Sequence, residues 1–394
     1  MKTESIVKSA CEDWAAEARV PADLADRALR ARPRRRPFKM ALTGGATALL
    51  VGAAAVAVVS SAGGPAQEHR PSAPAFEPVA LSSDTTLRTD PGSAFPRHLV
   101  AAGHTAVAAY FTFRTRTDDG RRTLERTWHL YNPSTGTYER TRWAYVSVAP
   151  GMARAAVLQG PLPTTRVGVL DMRTQKVTGW IPVDHPVGGA AWSPDGRRLL
   201  LTAYDKNPDV QGHRRNASAR TGYYLAESAS RPGAFHPMPP LRDNPNNRQD
   251  LGWSRDGTLI WAPTATVPAK VFFNPSGERR PAPAHEADYW DKVEAGLSPN
   301  GTLLPTDGPR PGPAVTITNV ATGKKAAVLP IEQAKAWADD QRLFAIGCDP
   351  RKCTGKHEFR NRLLLVDLKG RITPLTGYRR SDRDGSWVPV FTHR

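Results

Sequence analysis

Four stretches of this 394-residue chain repeat one order of residues: an aromatic or Leu, a set of turn formers, then an apolar run. The clearest copy is Trp192-Ser193-Pro194-Asp195-Gly196, followed by Leu199, Leu200 and Leu201. Trp253 to Ile260, Leu297 to Leu304 and Trp337 to Ile346 keep the same order. Turn formers such as Pro194, which fixes one backbone angle, and Gly196, which suits a left-handed residue, reverse the chain, so each copy reads as a strand, a tight reversal and a second strand. A chain that makes this hairpin at intervals of about 40 to 60 residues builds a four-stranded unit several times over. That is the period of a propeller, not of a solenoid.

Second hairpins of alternating strands lie between these copies. They cover Trp128 to Tyr138, Val167 to Val177, Tyr223 to Phe235, Val271 to Arg279, Val315 to Val328 and Leu363 to Ile372. With the degenerate Leu99 to Phe111 and Val148 to Leu158, the first hairpins also number six. The expected fold class is all-β: a six-bladed β-propeller over residues 97–394. Gly377 to Arg394 either pairs into the first blade or opens a seventh. The W-S-P-D-G turn followed by an apolar strand resembles the propeller domains of the WD40-like and TolB-like bacterial families, across residues 97–394. Leu297 departs from the aromatic and Gln341 from the Gly of that pattern. The resemblance implies a fold and little chemistry, since such propellers bind proteins, glycans and peptides, and several host enzymes.

The N-terminal quarter reads differently. Residues 1–39 form a polar helical segment ending in Arg30, Arg32, Arg34, Arg35, Arg36 and Lys39, set against an uncharged apolar stretch from Met40 to Ala62. At about 1.5 Å per residue that stretch is long enough to span a hydrocarbon core roughly 30 Å thick. Its basic flank predicts a single transmembrane helix, a signal anchor, with the N-terminus cytoplasmic and the propeller extracytoplasmic. The alternative is export and cleavage near Ala62, since Arg35-Arg36-Pro37-Phe38-Lys39 loosely resembles a twin-arginine motif. Gly44, Ala48 and Gly52 share one helical face and fit a weak homodimer contact. Residues 63–96, rich in Pro, Ala and Ser, read as a linker.

Net charge is +17, of which residues 1–40 hold +4 and the remainder +13. That excess favours an anionic partner. In an up-and-down blade, short turns gather on one face of the disc and the remaining connections on the other. The long connections here run over Arg114 to Thr123, Asp205 to Gly222, Cys348 to Arg362, Asp184 to Gly189, Leu241 to Asp250 and Pro281 to Ala295. This long-loop side is the expected binding face. Its basic residues are Arg114, Arg116, Arg121, Arg122, Arg214, Arg215, Arg220, Arg351, Lys352 and Lys356. Guanidinium forks suit an anionic envelope polymer or an acidic protein surface. Nucleic acid is not expected, because basic and aromatic residues do not interleave.

Cys348 and Cys353, the two cysteines beyond the apolar stretch, are expected to form a disulfide in an oxidising compartment. Asp184, His185, Asp250, Glu294 and Lys335 precede innermost strands and are the candidate channel residues. No cofactor or metal is expected, and neither a GxSxG elbow nor an HExxH motif occurs. The functional expectation is a membrane-anchored, non-catalytic interaction module for a protein partner or an anionic envelope component. The alternatives are a channel-centred hydrolase or lyase, and signalling through residues 1–32.

Overall fold

The repeated turn builds its own support. In the computed structural model the Ser193 hydroxyl donates to Asp195 Oδ1 at 2.5 Å and accepts the Arg198 N–H at 2.9 Å. Gly196, at φ +70°, donates its N–H to the Ser193 carbonyl. Ser254 with Asp256 and Leu259, and Ser298 with Asn300 and Leu303, repeat both side-chain bonds. All three serines are fully buried, so each turn carries its polar groups into the core already paired.

The structure describes residues 74–211, 218–244, 246–287, 294–308, 314–348, 360–380 and 386–394, all within one unit, His69–Arg394. The expected cytoplasmic segment, apolar span and Gly44, Ala48 and Gly52 lie outside them. Among the described residues the regular structure is antiparallel strand, with one 3-10 turn at Pro150–Met152. None of their helices is long and apolar enough to cross a membrane.

Among the described residues, hydrogen bonding divides the strands into five sheets in a propeller-like arrangement, four of which hold four or more strands. Sheet boundaries and sequence repeats do not coincide. Lys176–Trp192 is one strand of 17 residues that pairs with Thr164–Asp171 along its first half and with Leu199–Tyr204 along its second, fusing two expected units into a seven-stranded sheet. Val187 sits at the junction, opposite both Thr164 and Ala203. In the fifth repeat the described strands are three, Leu303–Asp307, Val315–Asn319 and Lys325–Leu329.

Trp387–His393 pairs with Thr105–Asp118 from Thr105↔His393 to Thr112↔Trp387, joining the two ends of the repeat region in one sheet. This pairing is the first-blade option for Gly377 to Arg394. The core lies between successive sheets, so inner strands are apolar on both faces. Along Arg342–Gly347, Leu343 and Ala345 pack with Leu303, Ile317 and Leu329, while Phe344 and Ile346 pack with Val100, Tyr110 and Trp387.

Residues 74–98, within or beside the expected linker, run as a strap along the sheets. Phe76 is buried edge-on against Trp192, with ring centroids 4.9 Å apart. Arg88 exchanges backbone bonds with Ala101, Asp90 bridges to Thr376, and the Arg394 side chain holds the Thr86 carbonyl at 2.6 Å.

Candidate functional site

The inner strands carry one indole staple after another. Trp192 Nε1 donates to the Ser147 carbonyl at 3.0 Å, Trp253 Nε1 to Ala191 at 3.0 Å, and Trp337 Nε1 to Gly296 at 2.9 Å. Each donor is the aromatic of a repeat, and each acceptor belongs to the inner segment of the preceding one. Arginines make a second set of links at the turns. Arg154 reaches Gly196 O at 3.1 Å, Arg198 reaches Gly257 O at 2.5 Å, and Arg255 reaches Pro299 O at 2.6 Å. The indole N–H groups are thus spent on the scaffold.

These inner segments enclose a cavity of about 870 Å³, within the range of small-molecule and peptide pockets. Trp192, Trp253, Trp261, Trp337 and Phe391 give it an aromatic wall. Its lining reaches the turn residues Pro150, Pro194, Arg255 and Pro299, so it extends to the side of the short turns. Glu294 and Lys335 form an ion pair in its lining, with the Lys335 side chain 6% exposed and Glu294 43% exposed. Glu286, also in the lining, accepts the Arg255 N–H at 3.1 Å, and burial pushes its carboxyl above the ordinary range.

The candidate channel residues therefore separate. Glu294 and Lys335 line the cavity; Asp184, His185 and Asp250 do not. Asp184 and His185 lie in mid-strand, where a connection between blades was expected, because Lys176–Trp192 stays extended through them. His185 stacks on Phe235 at 3.7 Å, and its Nδ1 bonds the Tyr224 hydroxyl at 2.9 Å. Asp250 belongs to a buried ionic chain. Arg248 binds Asp250 at 2.8 Å and Asp209 at 2.9 Å, and Arg126 binds Asp209 at 2.5 Å. The Tyr204 hydroxyl donates to Asp250 at 2.8 Å, and Asp250 rests where a Cβ on Gly189 would stand. Burial works against the Asp209 carboxylate, but Arg248 and Arg126 outweigh it and hold its pKa below the ordinary value.

This chain anchors an arm. The expected loop Arg114 to Thr123 is regular hairpin instead: Thr105–Asp118 pairs with Arg121–Asn132 out to Asp118↔Arg121, with Asp119 and Gly120 at positive φ in the turn. Asp-Gly between alternating strands is the strongest local hairpin signal, and it was present in the sequence. Val210–Gln211, from the Asp205 to Gly222 connection, adds a short strand to this arm at Thr123 and Arg122. Outward in register stand Arg114, Arg116 and Arg121 with Asp118 and Glu125, and Arg116 pairs with both acids. The basic face is therefore partly neutralised by its own acids.

Arg220, expected on that face, is a core residue. It is 2% exposed and donates to the carbonyls of Met238, Gln249 and Pro239 at 2.8 to 3.2 Å, and burial lowers its pKa to about 10. The carbonyls of Met238 and Pro239, just past the short strand His236–Pro237, and that of Gln249 need a fork of donors, which the Arg220 guanidinium supplies. Arg214, Arg215, Arg351, Lys352, Lys356 and Cys353 lie outside the described residues. Cys348 is disulfide-bonded. Among the described residues no group of three or more His, Cys, Asp or Glu gathers as a metal site. Sequence reasoning missed the cavity's aromatic wall, although the repeat of Trp192, Trp253 and Trp337 pointed to it.

No protein-family model matches the chain, and no curated protein matches its sequence. Among solved structures it is similar to a chain of the mitotic checkpoint complex, at 15% identity and TM-score 0.37, over 81% of this chain and 98% of that one. It is also similar to hydrazine synthase of Kuenenia stuttgartiensis, at 13% identity and TM-score 0.33, over 59% of this chain and 65% of that one. A third likeness is to the dihydro-heme d1 dehydrogenase NirN in complex with DHE, at 13% identity and TM-score 0.34, over 78% and 60%. The chain thus spans less than two thirds of the length of the second and third. At this degree of similarity none of their chemistry transfers to it.

Proposed function

We propose that this chain is a membrane-anchored, non-catalytic propeller of the WD40-like and TolB-like kind, with six blades, whose cavity takes an extended segment of a protein partner. Six inner segments line the cavity, around residues 147–150, 191–194, 252–255, 294–299, 335–337 and 388–393, and their number supports the blade count. The apolar stretch Met40 to Ala62 behind its basic flank supports an anchor with the propeller outside the cytoplasm.

One observation carries the binding reading. The cavity presents indole rings and proline edges, with the indole N–H groups already committed, beside the Glu294–Lys335 ion pair and Glu286, which accepts the Arg255 N–H. Such a wall has apolar area for side chains, and its acids are paired or hydrogen-bonded within the protein. Ala191→Trp tests this reading, because the Ala191 methyl lines the cavity and makes no hydrogen bond, while its carbonyl, which accepts the Trp253 indole N–H, is kept in the variant. Peptides selected by display against the full chain in nanodiscs should lose at least about tenfold in affinity for this variant. Unchanged affinity would reject the cavity as the site.

A further inference from the structure

A second cavity, of about 650 Å³, lies between the strap and the sheet of Thr105–Asp118, away from the channel. Residues 92–97 form one wall, with Phe95 42% exposed; Tyr110, Thr112, His129, Thr137 and Tyr138 form the other. Tyr110 and His129 face each other across adjacent strands and stack, with ring centroids 4.5 Å apart and planes 8° from parallel. Tyr138 stands edge-on to Tyr110 and spends its hydroxyl on the Val107 carbonyl at 2.5 Å, which fixes the wall.

Two polar atoms of this wall are unspent. Among the described residues the Tyr110 hydroxyl and His129 Nε2 find no hydrogen-bond partner, and His129 Nδ1 is sealed in the protein. Burial first, and then the Arg140 charge, hold His129 below its ordinary pKa, so the ring is neutral near pH 7. Nδ1 is sealed in the protein, so a neutral ring with its proton there leaves Nε2 as an acceptor. Tyr110, its pKa pushed up to about 12 by burial, remains a donor. The wall thus offers one acceptor and one donor on two stacked aromatic rings.

We propose that this cavity is a binding site for a small, planar, neutral aromatic compound carrying an amide-like edge, its N–H directed to His129 Nε2 and its C=O to the Tyr110 hydroxyl. The ring lies between the sheet wall and Phe95 of the strap. A pocket that pairs apolar area with a few convergent polar atoms is the usual form of such a site. The strap that roofs it bonds the sixth repeat through Gly377 N–H to Ser93 O at 2.8 Å, so an occupant would tie the strap to the seam where the repeat region closes.

The test uses benzamide as probe and toluene as its amide-free counterpart, with the full chain in nanodiscs and saturation-transfer NMR as readout. Benzamide is expected to bind, and His129→Phe and Tyr110→Phe, which keep the rings, should each weaken it about tenfold. Phe95→Ala should weaken both probes, and toluene should be indifferent to the two polar-atom variants. Thermal unfolding of each variant separates lost binding from lost fold. No saturation of benzamide, or saturation unchanged in both ring variants of native stability, would overturn the proposal. The channel variant Ala191→Trp should leave benzamide binding unaltered, since the two cavities share no lining residue.

Discussion

Arg198 and Trp253, from successive repeats, are locked together: the guanidinium carbon lies 4.6 Å from the indole centroid while Nη2 donates to the Gly257 carbonyl. Arg154 repeats the relationship on Trp192 at 5.4 Å, with its hydrogen bond to Gly196. Arg198→Met keeps the stem but removes both interactions. It should cost about 1–2 kcal/mol in urea unfolding, the sum of a partly shielded cation–π contact and one charged hydrogen bond. A cost indistinguishable from zero would make these arginines surface decoration.

Trp337 tests the indole staples. Its N–H is the donor to Gly296 O, and the side chain is 5% exposed. Trp337→Phe leaves that carbonyl without its partner and a gap beside it, so a loss of about 2–3 kcal/mol is expected in the same measurement.

The ionic chain under the arm predicts a pH dependence. Asp209 has a folded pKa below the model-compound value of 3.8, so its contribution is full above that value and is lost as pH falls through the folded pKa. Asp209→Asn leaves Arg126 and Arg248 without their shared carboxylate and should cost about 3 kcal/mol at pH 7. The gap between wild type and variant should shrink at strongly acid pH. A gap that is constant with pH would show that Asp209 acts by shape and not by charge.

Arg220 and Arg121 are both basic residues of connecting segments by sequence, yet they should behave oppositely. Arg220→Met orphans three buried carbonyls and should cost about 3 kcal/mol or prevent folding, whereas the exposed Arg121→Ala should stay within about 0.5 kcal/mol. Expression level and thermal unfolding of the pair would show it.

The repeated turn was legible because its chemistry is local: Ser193, Asp195 and Gly196 satisfy one another within five residues, and the sequence alone displays that. The pairing of Trp387–His393 with Thr105–Asp118 was one of two options, since alternation marks a strand without naming its neighbour. Sheet boundaries were not legible. Whether Asp184-His185-Pro186 bends or stays extended depends on the Thr164↔Val187 pairing, which is a tertiary contact. Arg220 was misplaced for the same reason: nothing nearby in sequence reveals the three carbonyls it serves. Glu294 and Lys335 were found from their position before inner strands, while the strap was hidden by a composition rich in Pro and Ala that also suits a linker.

A partner segment held in the cavity meets Pro299, at the side of the short turns, and not Arg121 on the arm. The most direct measurement is site-specific photo-crosslinking of a selected peptide to the full chain in nanodiscs, with benzoylphenylalanine placed in turn at Pro299, on the cavity lining, and at Arg121, on the arm. The account predicts adducts at Pro299 that unlabelled peptide competes away, and none at Arg121. Adducts at Arg121 with none at Pro299 would contradict it and move the binding site to the arm.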